Sequence, residues 1–296
     1  MNPRTDFGFK KIFENEDLLI SFVNEMLPEK VVHIDYLSPE QLGLKAEDRK
    51  AVYDIYCKNE NGKRFILEMQ VTPQPHFVER SLFYMSHAIL SQVPKGKVKR
   101  KNGKGKEMKV PWDYAIDGVY IIGILDFKLF PEECAADITV EYIQLVRKKA
   151  KIALADKFGM VTVELPKFRK EKAELSTVQD KWLYSLKNME RLSECPEEMN
   201  ENIFKELYKK ATINNLTVEE MKTYQKSILE YDDVILSMNY VEKMAEERGI
   251  GIGEERGIKK EQIKFVRNCR KHNMSVDQIA KLTGLRVEEI HAILTD

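Results

Sequence analysis

The stretch AVYDIYCKNENGKRFILEMQV, residues 51–71, decides how this chain folds. Two runs rich in β-branched and aromatic residues flank Asn59, Glu60, Asn61 and Gly62, which is turn chemistry, so the segment reads as a β-hairpin. Odd positions Ala51, Tyr53, Ile55 and Cys57 on one strand, with Phe65, Leu67, Met69 and Val71 on the other, make one apolar face. Even positions, among them Asp54, Glu68 and Gln70, fall on the opposite face. A two-residue Asn61-Gly62 loop would pair odd positions with even ones and split the apolar face. A three-residue loop, Glu60 to Gly62, closed by glycine in the left-handed region, pairs odd with odd and keeps it whole. That register sets Asp54 opposite Glu68, with Gln70 one step along the same face.

Directly opposed side chains stand about 5 Å apart at Cβ, so two carboxylates there repel. A hard divalent ion such as Mg²⁺ is the natural bridge, since it takes oxygen ligands and keeps several waters. Such an ion activates a water and stabilises charge on a phosphate. Spacing alone favours a solvated sheet face that merely carries Asp54, Glu68 and Gln70.

Outward from the hairpin, apolar positions at helical spacing predict a helix over 9–27, with Phe9, Ile12, Phe13, Leu19, Phe22, Val23 and Met26 on one stripe and Pro28 as its stop. A β-run follows at 31–37, a helix at 77–93, and further strands at 117–127, 138–146 and 160–165. Strands interleaved with helices suggest an α/β core ending near Phe168. From Ser176 the chain turns helical and charged, with helices over 178–193, 197–211 and 217–248. Thr217 with Glu220 three residues on forms a capping-box pattern that opens the last of them. Gly249, Gly251, Gly253 and Gly257 then interrupt a Glu/Arg-rich stretch holding two copies of Glu-Glu-Arg-Gly. Each glycine costs a helix ~1 kcal/mol relative to alanine, which predicts a hinge or a weakened helix. The expected organisation is a core over 1–170, a helical region over 171–248, a Gly-rich hinge over 249–258 and a small helix–turn–helix-like tail over 259–296.

The 296 residues carry 48 Lys+Arg against 48 Asp+Glu, a net charge of zero that removes the simplest argument for a nucleic-acid binder but leaves room for local patches. Hydrophobic residues at 43% and charged residues at 32% describe a globular chain. No apolar run approaches the ~20 residues of a membrane span, and no apolar segment follows Met1 as a secretory signal requires. Cys57, Cys134, Cys195 and Cys269 are scattered, which suits a reducing compartment, the cytoplasm, better than a disulfide scaffold. His33, His76, His87, His272 and His291 form no HExxH and argue against a zinc hydrolase.

The order helix, Asp in a strand, hairpin, then Glu-x-Gln in the next strand resembles the PD-(D/E)XK nuclease fold, and within it the bacterial transposase-like, recombination-promoting (Rpn-type) nucleases. The match is carried by DFGFKKIF at residues 6–13, by Tyr53-Asp54-Ile55, by Leu67-Glu68-Met69-Gln70, by FVERSLFY at residues 77–84, and by later runs at 119–127 and 164–168. The resemblance implies an α/β, restriction-endonuclease-like core, a mixed sheet flanked by helices, with a helical C-terminal region. It implies a metal-dependent DNA endonuclease with Asp54 and Glu68 holding Mg²⁺ or Mn²⁺ and the Met69 backbone carbonyl adding a third oxygen. Gln70 stands where the superfamily has lysine and would orient the attacking water or phosphate without acting as a cation. Tyr53 precedes Asp54 in place of the proline of the general signature. A role in recombination, mobile-element biology or defence follows from the analogy alone.

Asp6 and Lys10 are expected either to border the site from the first helix or, for Asp6, to cap that helix. Arg80 and Tyr84, at i and i+4, share a helix face that would meet a phosphate and a base or pack half-buried. Segment 95–109 holds eight basic residues, including Lys97, Lys99, Arg100, Lys101 and Lys104, against the single acid Glu107, and reads as a flexible loop that clamps a DNA backbone with weak or no sequence preference. In the tail, Thr283-Gly284-Leu285 suits an inter-helix turn, and the acidic second helix favours dimerisation or a structural helical hairpin over base reading. A homodimer would supply the two active sites that cutting both strands takes. The rival reading is a catalytically inert DNA-binding or oligomerising protein that keeps the nuclease fold.

Overall fold

The computed structural model describes residues 1–41, 51–94, 98–101, 107–129, 138–150, 152–153, 157–192 and 194–295, and of residues 41, 98–101 and 153 the backbone alone. Helix α1 (Asp6–Phe13) begins at Thr5, whose side-chain oxygen accepts the Gly8 N–H at 3.0 Å, so Thr5 and not Asp6 is its cap. Helix α2 (Glu16–Met26) begins at Asn15, which accepts the Leu18 N–H at 3.1 Å. The single helix expected over 9–27 is therefore two. Asn15 followed by Glu16 and Asp17 is an N-cap with an acidic first turn, worth about 1 kcal/mol, and it outweighs the continuous apolar stripe.

Strand β1 (Ile34–Tyr36) is followed by a short ribbon, β2 (Glu40–Gln41) with β3 (Ala51–Val52), and then by the hairpin strands β4 (Ile55–Asn59) and β5 (Arg64–Gln70). Helix α3 (Phe77–Leu90) leads to a second ribbon in which β6 (Val98–Lys101) pairs antiparallel with β7 (Glu107–Val110). The segment expected to be a flexible loop thus has paired strands at both its described ends, because β-branched Val98 and Val110 face each other across a turn-prone centre. Lys97 and Lys104 lie outside the described residues. Strands β8 (Val119–Leu125) and β9 (Val140–Gln144), the ribbon β10 (Val146–Arg147) with β11 (Ile152–Ala153), and β12 (Phe158–Glu164) complete the β-structure.

Six strands form one mixed sheet in the order β1-β4-β5-β8-β12-β9. β5, β8 and β12 run parallel, and β4, β1 and β9 are antiparallel to their neighbours. Helices α4 (Val178–Asn188) and α5 (Asn202–Lys210) join α1 and α2 on one face, where Trp182, Phe13, Phe22 and Phe204 pack against Cys57, Leu67, Ile122 and Val161. Helix α3 covers the other face, with Phe77, Met85 and Ala88 on Tyr56, Ile66 and Ile121. Gly123 in β8 is what lets the Phe77 ring approach, since a Cβ there would come within 2.8 Å of it.

The hairpin register is the expected one: Ile55 pairs with Leu67, Cys57 with Phe65 and Lys58 with Arg64. Gly62 sits at φ 80° and donates its N–H to the Asn59 carbonyl, closing the three-residue loop. The even face, in contrast, is not a polar surface, for Tyr56 and Ile66 are buried under α3. Ala51 and Tyr53 also pack into that second core while Ile55 and Cys57 pack into the first. The strand therefore breaks at Asp54, where the backbone bends between β3 and β4 and switches the odd residues from one face to the other.

The chain divides into two compact units, Met1–Asp233 and Val234–Asp296. The first holds the sheet together with α4 and α5, whose apolar sides are part of the main core rather than of a separate helical region. Helix α6 runs over Val218–Lys271, and Thr217 and Glu220 form the anticipated reciprocal cap, Glu220 N–H to Thr217 Oγ1 at 3.2 Å and Thr217 N–H to Glu220 Oε2 at 2.8 Å. Residues 249–258, expected as a hinge, are helical within α6, so their glycines weaken the helix without interrupting it. In the second unit α7 (Val276–Thr283) and α8 (Val287–Thr295) flank Gly284 at φ 72° and bury Ile279 and Ile290 against Val266 and Cys269 of α6. No helix among the described residues is long and apolar enough to cross a membrane.

Candidate active site

The β4–β5 ladder ends at Ile55 and Leu67, and the next residues, Asp54 and Glu68, hold the strands together with side chains instead of ladder bonds. The Asp54 N–H donates to Glu68 Oε1 at 3.3 Å. The Met69 N–H donates to Asp54 Oδ2 at 2.7 Å. Glu68 is 6% exposed. Burial raises its pKa to about 8, with the neighbouring Asp54 charge adding to the effect. Burial also raises Asp54, while the Met69 N–H and the nearby Lys10 and Arg80 pull it back. Among the described residues neither carboxylate has an ion-pair partner. The pair is thus drawn together by the backbone and left short of positive charge.

Gln70 and Met69, which follow Glu68, occupy the open end of the hairpin. The Gln70 carbonyl accepts the Asp126 N–H at 2.9 Å, so its backbone faces β8. Met69 faces the other way, toward Asp54, and the N–H and C=O of one strand residue leave on the same edge. Arg80, on the α3 face above, donates to the side-chain oxygens of Gln70 and Gln74. Its guanidinium also lies 5.6 Å from the Phe77 ring centroid and 5.8 Å from that of Tyr84. Tyr84 packs edge-on to Tyr53 and accepts the Tyr53 hydroxyl on its carbonyl at 2.9 Å. The structure thus brings Asp54, Glu68, Met69, Gln70, Arg80 and Tyr84 together. Gln74 had no signal in the sequence, since it lies between Pro73 and Pro75 in a loop.

Lys10 and Asp54 line one cleft of about 300 Å³ with Phe13, Tyr36, Leu37 and Tyr56. Lys10 is paired to Asp6 at 2.6 Å, both side chains half exposed, so the first helix borders the site through this pair. Lys99, Arg100 and Lys101 lie in β6, with only their backbone described, and Lys97 and Lys104 lie outside the described residues.

Among the described residues no group of three His, Cys, Asp or Glu side chains is placed to hold a metal. The available donors are the two carboxylates and the strand carbonyl of Met69, all oxygen. That set suits a hard divalent ion that keeps most of its waters, and a buried, unneutralised carboxylate pair is what such an ion would relieve. A different buried carboxylate shows the contrast: Glu164, 1% exposed, accepts from Lys167 Nζ and from the Leu129 N–H, each at 2.8 Å.

A mixed sheet with an acidic pair at the open end of its antiparallel hairpin, and helices on both faces, places the molecule among α/β folds of the PD-(D/E)XK class. The chain belongs to the PD-(D/E)XK nuclease family transposases, whose sequence pattern matches residues 3–240. No curated protein and no solved structure matches it.

Proposed function

We propose that the protein is a divalent-metal-dependent DNA endonuclease that hydrolyses phosphodiester bonds at Asp54 and Glu68. The observation that carries this reading is the acidic pair at the hairpin end, a buried Glu68 joined by the Asp54 N–H to a part-buried Asp54, in a chain of the PD-(D/E)XK nuclease family transposases. Asp54, Glu68 and the Met69 carbonyl would hold the ion. When bound, Mg²⁺ or Mn²⁺ would supply Lewis-acid polarisation of a phosphoryl oxygen and a more acidic water.

The protein's own groups do the rest. Burial holds Glu68 protonated near neutral pH until a cation replaces the proton, so ion binding and deprotonation go together. The Met69 N–H fixes Asp54 Oδ2 and leaves the orientation of that carboxylate set before any ligand arrives. With its oxygen engaged by Arg80, the Gln70 side chain has its amide N–H groups to offer to an anionic oxygen. Arg80, within 6 Å of the Phe77 and Tyr84 rings at 5.6 and 5.8 Å, brings positive charge to the site in the absence of the superfamily's lysine. Lys10 stands at the cleft's rim as a second cation. Substrate contact through phosphates predicts weak sequence preference and strong salt dependence.

The test is supercoiled plasmid incubated with wild type and Asp54→Ala in Mg²⁺, Mn²⁺, Ca²⁺ or EDTA. Nicking by wild type alone, supported by Mg²⁺ or Mn²⁺ and abolished by EDTA, is the expected result. Retention of DNA by both proteins without cleavage by either would overturn the enzyme reading in favour of an inert DNA-binding protein. The glutamine in the lysine position and the acidic first turn of α8, with Glu288 and Glu289, are what give that second reading its weight.

A further inference from the structure

The cleft beside Asp54 is larger and more apolar than a metal and a phosphate require. It encloses about 300 Å³, and Tyr36, Leu37, Pro39 and Tyr56 line it together with Lys10 and Asp54. The segment from Tyr36 to Pro39 is tied to the backbone on both sides of Asp54. The Leu37 N–H donates to the Tyr56 carbonyl at 2.8 Å, and the Tyr53 N–H to the Pro39 carbonyl at 3.0 Å. This wall therefore holds a fixed place relative to the acid.

Tyr36 is 44% exposed although its hydroxyl is taken by the Phe13 carbonyl at 2.6 Å. With the hydroxyl spent on the protein, what remains to meet a ligand is mostly ring. Pro39 is exposed and Leu37 half-buried, which extends the apolar wall. Glu14 also lines the cleft, but Lys11 at 2.7 Å and Lys210 at 2.9 Å meet its charge. An aromatic wall, a lysine and one acid of the catalytic pair in a single cleft are complementary to one nucleotide, its base on Tyr36 and its phosphate toward Lys10 and Asp54. A base inside a duplex is stacked on both faces and paired on its edge, so only an unpaired or extruded base can enter.

We propose that the wall from Tyr36 to Pro39 binds an unpaired nucleobase beside the phosphodiester held at Asp54, so that the substrate is single-stranded or locally unpaired DNA. This rests on the nuclease reading of Asp54 and Glu68 and adds the state of the strand, which the acidic pair does not specify. Stacking accepts any base, since each has a π-face, so the wall selects for unpairing rather than for sequence.

The test is fluorescence anisotropy in Ca²⁺, with labelled oligothymidine against a perfectly paired duplex of the same length. Wild type should bind the oligothymidine more tightly. Tyr36→Ala should weaken that binding about tenfold and leave the duplex nearly unchanged, while Tyr36→Phe, which keeps the ring, stays close to wild type. Equal affinity of the wild type for both probes overturns the proposal, and this comparison needs no variant to fold. So does an equal loss on both probes in Tyr36→Ala, or a loss in Tyr36→Phe as large as in Tyr36→Ala, which would trace the effect to the bond with Phe13. Plasmid nicking is read separately. Preference for oligothymidine without nicking would leave the base site standing and remove the nuclease, and nicking without preference would do the reverse.

Discussion

Glu68 and Glu164 are both buried carboxylates on strands of the same sheet, and the chain treats them in opposite ways. Both oxygens of Glu164 are met, one by Lys167 Nζ at 2.8 Å and the other by the Leu129 N–H at 2.8 Å. Among the described residues Glu68 receives one hydrogen bond, from the Asp54 N–H at 3.3 Å, and the strongest charge acting on it is that of another carboxylate, Asp54. The fold can therefore bury a carboxylate with its counter-charge and does so where the role is structural. At Glu68 no ion-pair partner is found among the described residues, and on the proposed reading the position is kept for a bound cation.

Breaking the satisfied pair should give the largest effect. Lys167→Met removes the cation beside buried Glu164 and leaves it only the Leu129 N–H, and should lower stability by about 3–5 kcal/mol in urea denaturation. A milder loss there, below that of an ordinary core truncation, would mean the pair is not a structural anchor. Next comes metal. Mg²⁺ at a hundredfold excess over its dissociation constant should stabilise the wild type by ~2.7 kcal/mol and leave Asp54→Ala unmoved, as read by thermal shift. Equal shifts in both proteins would place the ion elsewhere.

The third concerns pH. Glu68 ionises near 4.5 unfolded and at about 8 folded, so between these values the folded state binds the extra proton. Stability of the metal-free protein should consequently fall as pH rises from about 4.5 to about 8. Glu68→Gln should remove that slope and gain about 1–3 kcal/mol at pH 8, because a buried group that lacks partners is replaced by a neutral one. Absence of any slope difference would show that water or a counter-charge already reaches Glu68. The smallest effect is expected from Arg80→Lys, which keeps the charge and loses the planar fork on Gln70 and Gln74. Cleavage should drop about tenfold with DNA binding nearly intact, as checked by plasmid nicking beside filter binding.

The hairpin was legible because its period-2 pattern and Gly62 leave one register that keeps the apolar face whole. Asp54 and Glu68 were expected to pair directly on that basis; the ladder stops at Ile55 and Leu67, and the two acids follow it, joined by the Asp54 N–H to the Glu68 side chain. What the pattern hid was the second core. Phe65-Ile66-Leu67 is a continuous apolar run, the mark of a strand covered on both faces, and alternation drew attention to its odd members alone. The split between α1 and α2 was signalled by Asn15-Glu16-Asp17 but masked by the unbroken apolar stripe across it. Glu164 and Lys167 gave no sign of burial, since charged residues three apart around Pro166 usually lie in water. The role of Arg80 depended on α3 lying over the hairpin, a long-range fact that no local spacing carries.

The acidic pair at the bend has a genetic consequence. Each carboxylate is positioned through the other's strand, the Glu68 side chain by the Asp54 N–H and the Asp54 side chain by the peptide beside Glu68. Both donors are backbone N–H groups that survive side-chain truncation, so each acid keeps its seat when the other is lost; what the two share is the proposed cation, and on that reading the double variant Asp54→Ala/Glu68→Ala should be no worse than the poorer single one. A lineage that gave up one of these acids would feel no further selection to keep its mate, and the pair should be retained or discarded as a single hereditary unit.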